Sequence, residues 1–121
     1  MKQRGQYFEN VALRWLKTQG LKMVAKNYHS RVGEIDLIMQ DNEALCFIEV
    51  KYRSSQSFGG AAYSIPHSKQ KKIIQTALSF VSHQPKYGQY PMRFDALLIE
   101  PGRGDSNEIN WIKNAFTADG F

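Results

Sequence analysis

Two strand-length stretches, residues 34–40 and 45–53, flank the segment Asp41-Asn42-Glu43-Ala44. The flanks are strongly apolar (Ile35, Leu37, Ile38; Phe47, Ile48, Val50), and the segment between them has turn composition. A hairpin is the expected outcome. A hairpin symmetric about the middle of that turn places Asp36 opposite Glu49. Cross-strand side chains in an antiparallel pair have Cβ atoms roughly 4.5–5.5 Å apart, and like charges at that separation are destabilising. Such a pair is tolerated in one of three ways. One carboxyl holds a proton, a cation bridges the two, or the register departs from the symmetric one. Lys51 lies two residues beyond Glu49 and so belongs to the same face of its strand.

The remaining elements follow from periodicity. Residues 6–19 carry Phe8, Val11, Ala12, Trp15 and Leu16 at helical spacing, with Asn10, Arg14 and Lys17 opposite and Gly20 as a C-terminal stop. Glu9 flanks the apolar stripe of this helix rather than its basic face. Residues 21–28 alternate, Leu21, Met23 and Ala25 against Lys22, Val24 and Lys26, and read as a strand. Residues 54–65 are rich in Ser, Gly and Ala and read as a loop. Pro66 is placed to open a second helix with a core stripe of Ile73, Ile74, Ala77, Leu78 and Val81. Residues 85–91 read as another loop, Met92–Ile99 as a strand, and Ile109–Lys113 as a short last strand. The order is α-β-β-β-α-β(-β). The first three strands have short links and form a meander. The second helix is long enough for a crossover, which makes the third and fourth strands parallel. The expected fold class is α/β, a mixed sheet flanked by helices.

With 121 residues, the chain is expected to form one domain spanning residues 1–121. Its one cysteine, Cys46, lies in an apolar run and forms no internal disulfide. Cys46 and the three histidines, His29, His67 and His83, lack zinc spacing. No apolar run approaches a membrane span, and no apolar signal core follows the basic N-terminus. The expected compartment is the cytoplasm, with no membrane partner.

Charge is unevenly distributed. Residues 1–33 hold seven Lys/Arg and one acid, Glu9; residues 34–50 hold five acids and no Lys/Arg. Residues 51–93 hold seven Lys/Arg and no acid, and residues 94–121 hold two Lys/Arg and five acids. The net charge of +5 is the small remainder. An acidic block between basic ones suits a polyanionic partner approached through a cation. Asp36 and Glu49 are oxygen donors for magnesium, which is commonly held by one or two carboxylates together with substrate phosphate oxygens. Lys51 would orient a bound water or stabilise charge developing on phosphorus. Glu9 would add an oxygen ligand or a base if the first helix packs near the hairpin. The plain alternative is a surface pair of Glu49 and Lys51 with a solvated Asp36. Lys69, Lys71 and Lys72 crowd the start of the second helix, where positive charge opposes the macrodipole, and an anionic partner accounts for them better than helix stability does. Gln70 falls on the apolar stripe of that helix, as a residue aimed into a site or as a capping side chain.

Taken together, Gly33-Glu34-Ile35-Asp36-Leu37-Ile38, Phe47-Ile48-Glu49-Val50-Lys51-Tyr52-Arg53 and Arg93-Phe94-Asp95 resemble the YraN-type bacterial family of uncharacterised predicted endonucleases. Glu9-Asn10-Val11-Ala12, Ser68-Lys69-Gln70 and Asn114-Ala115-Phe116 fit the same resemblance. That family is similar to the PD-(D/E)XK nucleases, with their restriction-endonuclease-like core, and to archaeal Holliday-junction resolvases. The resemblance implies that Asp36 is the Asp of the signature, Glu49 and Lys51 its Glu-x-Lys, and Glu9 the acid of the first helix. Ile35 stands where the superfamily's name has proline. Lys69 and Gln70 match positions near substrate phosphates.

The expected function is a metal-dependent endonuclease, using magnesium or manganese, that hydrolyses phosphodiesters in DNA, branched or junction DNA included. Asp36, Glu49 and Glu9 are the expected metal ligands. Asp36, Glu49, Lys51 and Glu9 are the expected catalytic residues, and Arg53, Lys69, Gln70, Lys71 and Lys72 the expected nucleic-acid contacts. The rival is a non-catalytic nucleic-acid-binding or adaptor protein that keeps the nuclease fold. The acids favour the enzyme, because carboxylates repel DNA and a pure binder gains nothing from them. Cutting two strands needs two sites, so a homodimer is a further expectation. Trp15 and Trp111 read as core. Tyr52, Tyr63, Tyr87 and Tyr90 are candidates for stacking on unpaired bases as well as for packing. Arg103-Gly104-Asp105 reads as part of a turn, Gly59-Gly60 as a loop bordering a substrate cleft, and Asp95 as structural or as support for the site.

Overall fold

In a computed structural model, which describes residues 2–53, 64–104 and 106–119, the hairpin forms about the expected turn. Strand β2 (Glu34–Asp41) pairs antiparallel with β3 (Ala44–Tyr52), from Asp41↔Ala44 to Leu37↔Ile48. Asn42 takes a left-handed φ of 56° in the two-residue turn, a conformation asparagine tolerates better than most residues.

Helix α1 (Lys2–Thr18) precedes β1 (Lys22–His29). Its end is set by Gly20, whose φ of 95° reverses the chain. The Gly20 N–H donates to the Lys17 carbonyl at 3.0 Å, and the Leu21 N–H donates to the Leu16 carbonyl at 3.1 Å. This pair of bonds satisfies the last helical carbonyls. Helix α2 (His67–His83) follows Pro66 and carries β3 over to β4 (Met92–Pro101), with a short 3-10 turn, Pro85–Tyr87, in between. β5 (Asn107–Phe116) is a full ten-residue strand, longer than its apolar pattern predicts. The sheet order is β1-β2-β3-β4-β5, with β3 and β4 parallel and every other pair antiparallel. The fold is α/β, as expected.

Each face of the sheet carries one helix. Ile38, Leu45 and Phe47 pack with Ile73, Ile74, Ala77 and Phe80 of α2. Leu37, Met39, Cys46 and Ile48 pack with Ala12 and Leu16 of α1. Trp15 and Trp111 meet edge to face against this second cluster, with ring centroids 5.9 Å apart. Tyr87 and Tyr90 pack beside Phe80, and Tyr52 stacks on Phe8.

Two side chains differ from the sequence expectation. Met23 is exposed, because the β1–β2 register shifts between Met23 and Ala25 and the simple alternation ends there. Leu78 is also exposed; Phe80 and Thr76 fill α2's buried face with Ile73, Ile74 and Ala77. The loop expected at 54–65, with Gly59-Gly60 and Tyr63, falls largely outside the described residues, as does Asp105.

Asp95 is structural. Its buried carboxylate accepts from the Arg93 guanidinium, the Trp111 indole N–H and the Asn114 backbone N–H, each at about 3 Å by ordinary hydrogen-bond geometry. Arg93 Nη2 also donates to Asp41 Oδ2 at 2.9 Å. These bonds hold β5 to β4 where their register shifts, between Phe94 and Ala96, and where Asn114 takes a φ of 54°.

Candidate active site

The site lies where β2 and β3 part. Their pairing stops at Leu37↔Ile48, one step short of Asp36 and Glu49. β3 runs on beside β4 to Tyr52↔Ile99. The alternation of β2 breaks at the same place. Ile35 packs on the α2 side with Ile38, although Leu37 packs on the α1 side. Asp36 thus sits in the fork, bordering a cleft on each side. Its Oδ2 accepts from the Val50 backbone N–H at 2.8 Å, beyond the last backbone pair.

The α2-side cleft, about 340 Å³, has Asp36 and Glu49 on its wall together with Lys69 and Lys72 of α2. The α1-side cleft, about 370 Å³, has Asp36, Glu9 and Lys51 together. Glu49 is buried and forms an ion pair with Lys69, whose side chain is half exposed. Lys69 starts from the first turn of α2, where the Lys69 and Gln70 N–H groups turn back to the Pro66 carbonyl.

Burial and like charge act together on the acids. Asp36 is pushed up to about 7, first by desolvation and then by the neighbouring Glu9 and Glu49 charges; the Val50 N–H and Lys69 oppose the rise. Glu9 is raised as well, chiefly by desolvation, against hydrogen bonds from the Asn27 side chain and with the Asp36 carboxyl. A hydrogen bond between two carboxyls needs a proton on one of them. The repulsion foreseen from the hairpin is therefore present, and it also includes the acid from α1.

The donor set is all oxygen, which suits a hard cation such as magnesium or manganese. Asp36 and Glu49 fit a cation held by two carboxylates and water. Among the described residues, no three acidic, His or Cys side chains form a group that could hold a metal ion.

Other expected contacts are spread around this centre. Arg53 lies just past the end of β3, and its N–H donates to the Ile99 carbonyl at 2.9 Å. Lys72 lines the α2-side cleft, and Lys71 is exposed on the same helix. Gln70 donates through Nε2 to the Ile65 carbonyl at 2.7 Å, so it ties the helix to the segment before it and is neither a cap nor part of the cleft lining. Asn27 was not legible as a site residue. It takes a φ of 52° within β1 and bonds Glu9. Its one sequence signal is a turn-favouring asparagine inside a strand pattern.

A mixed five-stranded sheet between two helices, with buried acids at a strand fork and lysines beside them, defines an α/β protein with a polar cleft. The chain belongs to the uncharacterised protein family UPF0102, whose model matches residues 8–99. It is 44% identical over 116 residues to a UPF0102 protein of Legionella pneumophila (strain Corby), covering 96% of each chain. It is 45% identical over 118 residues to one from Methylobacillus flagellatus, covering 98% of this chain and 100% of the relative. A UPF0102 protein of Nitrosomonas europaea is 46% identical over 113 residues, 93% of this chain and 92% of the relative. No helix among the described residues is long and apolar enough to cross a membrane.

Proposed function

We propose that this chain is a metal-dependent endonuclease that hydrolyses phosphodiesters in DNA. The observation that carries the reading is the convergence of Glu9, Asp36 and Glu49 at the β2–β3 fork, with burial and mutual repulsion raising Asp36 to about 7. A structural role does not call for acids gathered in a half-buried fork, whereas a cation-assisted reaction uses one or two of them as ligands. The resemblance of Asp36, Glu49 and Lys51 to the PD-(D/E)XK signature supports the same reading, as do the lysines on α2.

Asp36 and Glu49 would hold magnesium or manganese. When bound, the cation would neutralise charge on the phosphate and lower the pKa of a nearby water. The protein's own groups do the rest. Lys51 orients the attacking water in the cleft it shares with Glu9 and Asp36. Glu9, raised toward a useful basicity, takes the water proton. The water oxygen bonds to phosphorus, the bond to one sugar oxygen breaks, and that oxygen takes a proton from solvent. Lys69 and Lys72 hold the phosphates flanking the scissile bond.

The test incubates the protein with single-stranded, duplex and four-way-junction DNA, and with RNA, in magnesium or manganese. Cleavage that disappears in Asp36→Ala and Glu49→Ala supports the proposal. Lys51→Ala abolishes cleavage and keeps metal binding by calorimetry. Tight DNA binding with no cleavage of any substrate and no metal uptake refutes the enzyme and leaves a binding protein.

A further inference from the structure

The α2-side cleft has a chemistry that metal and phosphate alone do not use. Three aliphatic side chains form its apolar part: Val32 in the loop before β2, Ile35 on the sheet, and Ile73 on α2. Lys69 and Lys72, three residues apart and so neighbours on the helix, stand at its rim. Asp36 and Glu49 close the end toward the fork. The cleft therefore presents an apolar slot, two cations and the acidic site in one continuous space of about 340 Å³.

The slot is pre-formed. Gly33 lies so close to α2 that a Cβ there would meet Lys72 Cβ and Thr76 Oγ1, each at 3.3 Å. The Ser30 and Thr76 hydroxyls hydrogen-bond at 2.9 Å, and Thr76 also donates to the Lys72 carbonyl at 2.8 Å. The 30–33 loop is thus pinned to the helix, with Val32 left 47% exposed at the cleft. A stacked duplex offers such a slot only sugars and phosphates, since its bases are turned inward. An unpaired nucleotide offers an apolar ring face with a phosphate on either side, which matches apolar walls rimmed by lysines.

We infer that this cleft receives the base of an unpaired nucleotide beside the scissile phosphate, so that the site acts on DNA containing a single-stranded or extruded position. The inference rests on the nuclease reading and adds the substrate class to it. The base lies between Val32 and Ile73 over Ile35, and its flanking phosphate meets Lys69 and Lys72. Val32 and Gly33 set the width of the slot.

The test measures binding by fluorescence anisotropy, with calcium replacing magnesium. The probes are a single-stranded oligonucleotide, a perfect duplex of the same sequence, and that duplex with one unpaired nucleotide. The expected result is at least tenfold tighter binding to the two probes with an unpaired base. Making the unpaired nucleotide abasic removes that advantage. Val32→Asn removes it too, whereas Val32→Leu keeps it. Equal affinity for paired and unpaired probes, or no effect of the abasic position, overturns the inference. So does displacement of the strand by equimolar deoxyadenosine monophosphate, which would make the cleft a site for free nucleotides. Cleavage is assayed separately in magnesium. A base preference without cleavage refutes the nuclease reading and spares the slot; cleavage without a base preference does the reverse.

Discussion

Replacing Asp36 by asparagine removes a charge that the metal-free fold holds at a cost and keeps the oxygen that accepts from the Val50 N–H. Asp36 rises from an ordinary 3.8 to about 7 on folding. Between these two values the native state binds more protons at this group than the unfolded chain does, so stability falls as pH rises through the window. Asp36 weighs nothing below about pH 4, and its full cost is present above about pH 7. Three pH units at about 1.4 kcal/mol each set a ceiling of about 4 kcal/mol for a fully enclosed group. Partial exposure of Asp36 brings the expected figure to about 2–4 kcal/mol.

The assay is urea unfolding of wild type and Asp36→Asn in a chelator, from pH 4 to pH 8. The two proteins should be nearly equally stable at pH 4, and the asparagine variant more stable by that amount at pH 8. Adding magnesium reverses the order. A ligand at one thousand times its Kd stabilises the protein that binds it by about 4.1 kcal/mol, and only wild type keeps both carboxylates. A variant less stable than wild type at pH 8 in chelator, or one with an unchanged pH slope, would refute the argument that the fork stores repulsion.

Lys69→Met should tighten magnesium binding by about fivefold by calorimetry, because an ion pair open to solvent on its lysine side, worth about 1 kcal/mol, no longer competes for Glu49. The same variant should lower the salt slope of DNA binding by about one unit, as loss of one phosphate contact requires. Asn27→Gly preserves a left-handed φ but removes the bond to Glu9; the acidic limb of the cleavage pH profile should move upward, with the metal Kd unchanged. Asp95→Asn should cost about 3–5 kcal/mol in urea unfolding, the usual penalty for breaking a buried charge pair from one side, and should leave metal affinity alone.

Much of this was legible because it follows from short-range rules. The turn at 41–44 fixed the β2–β3 register, and the crossover length fixed the parallel pairing of β3 with β4. Two things escaped for physical reasons. Met23 depends on a register shift, and period-two reading has no term for an extra residue. The choice of Phe80 over Leu78 depends on the aromatic contacts with Tyr28, Phe47 and Tyr87, which come from three separate parts of the chain. Asn27 escaped for a related reason: its partner Glu9 lies one helix earlier, and only the packed fold brings them together.

The charge blocks show the same limit. Five acids between residues 34 and 50 suggest one acidic patch, but a strand advances about 3.3 Å per residue, so these acids are strung along the hairpin. Glu34 pairs with His29, and Asp41 is bound to Arg93 near the turn. Asp36 and Glu49 reach the fork, Glu34 also borders the α2-side cleft, and the remaining acid at the fork, Glu9, comes from a block that is otherwise basic. Of the seven Lys/Arg in 51–93, Lys51, Lys69 and Lys72 border the two clefts, while Arg93 is spent on Asp41 and Asp95. The polarity needed to meet a polyanion through a cation is therefore assembled by topology. It comes from one residue of α1, one from each arm of the hairpin, and a lysine ridge on the crossover helix.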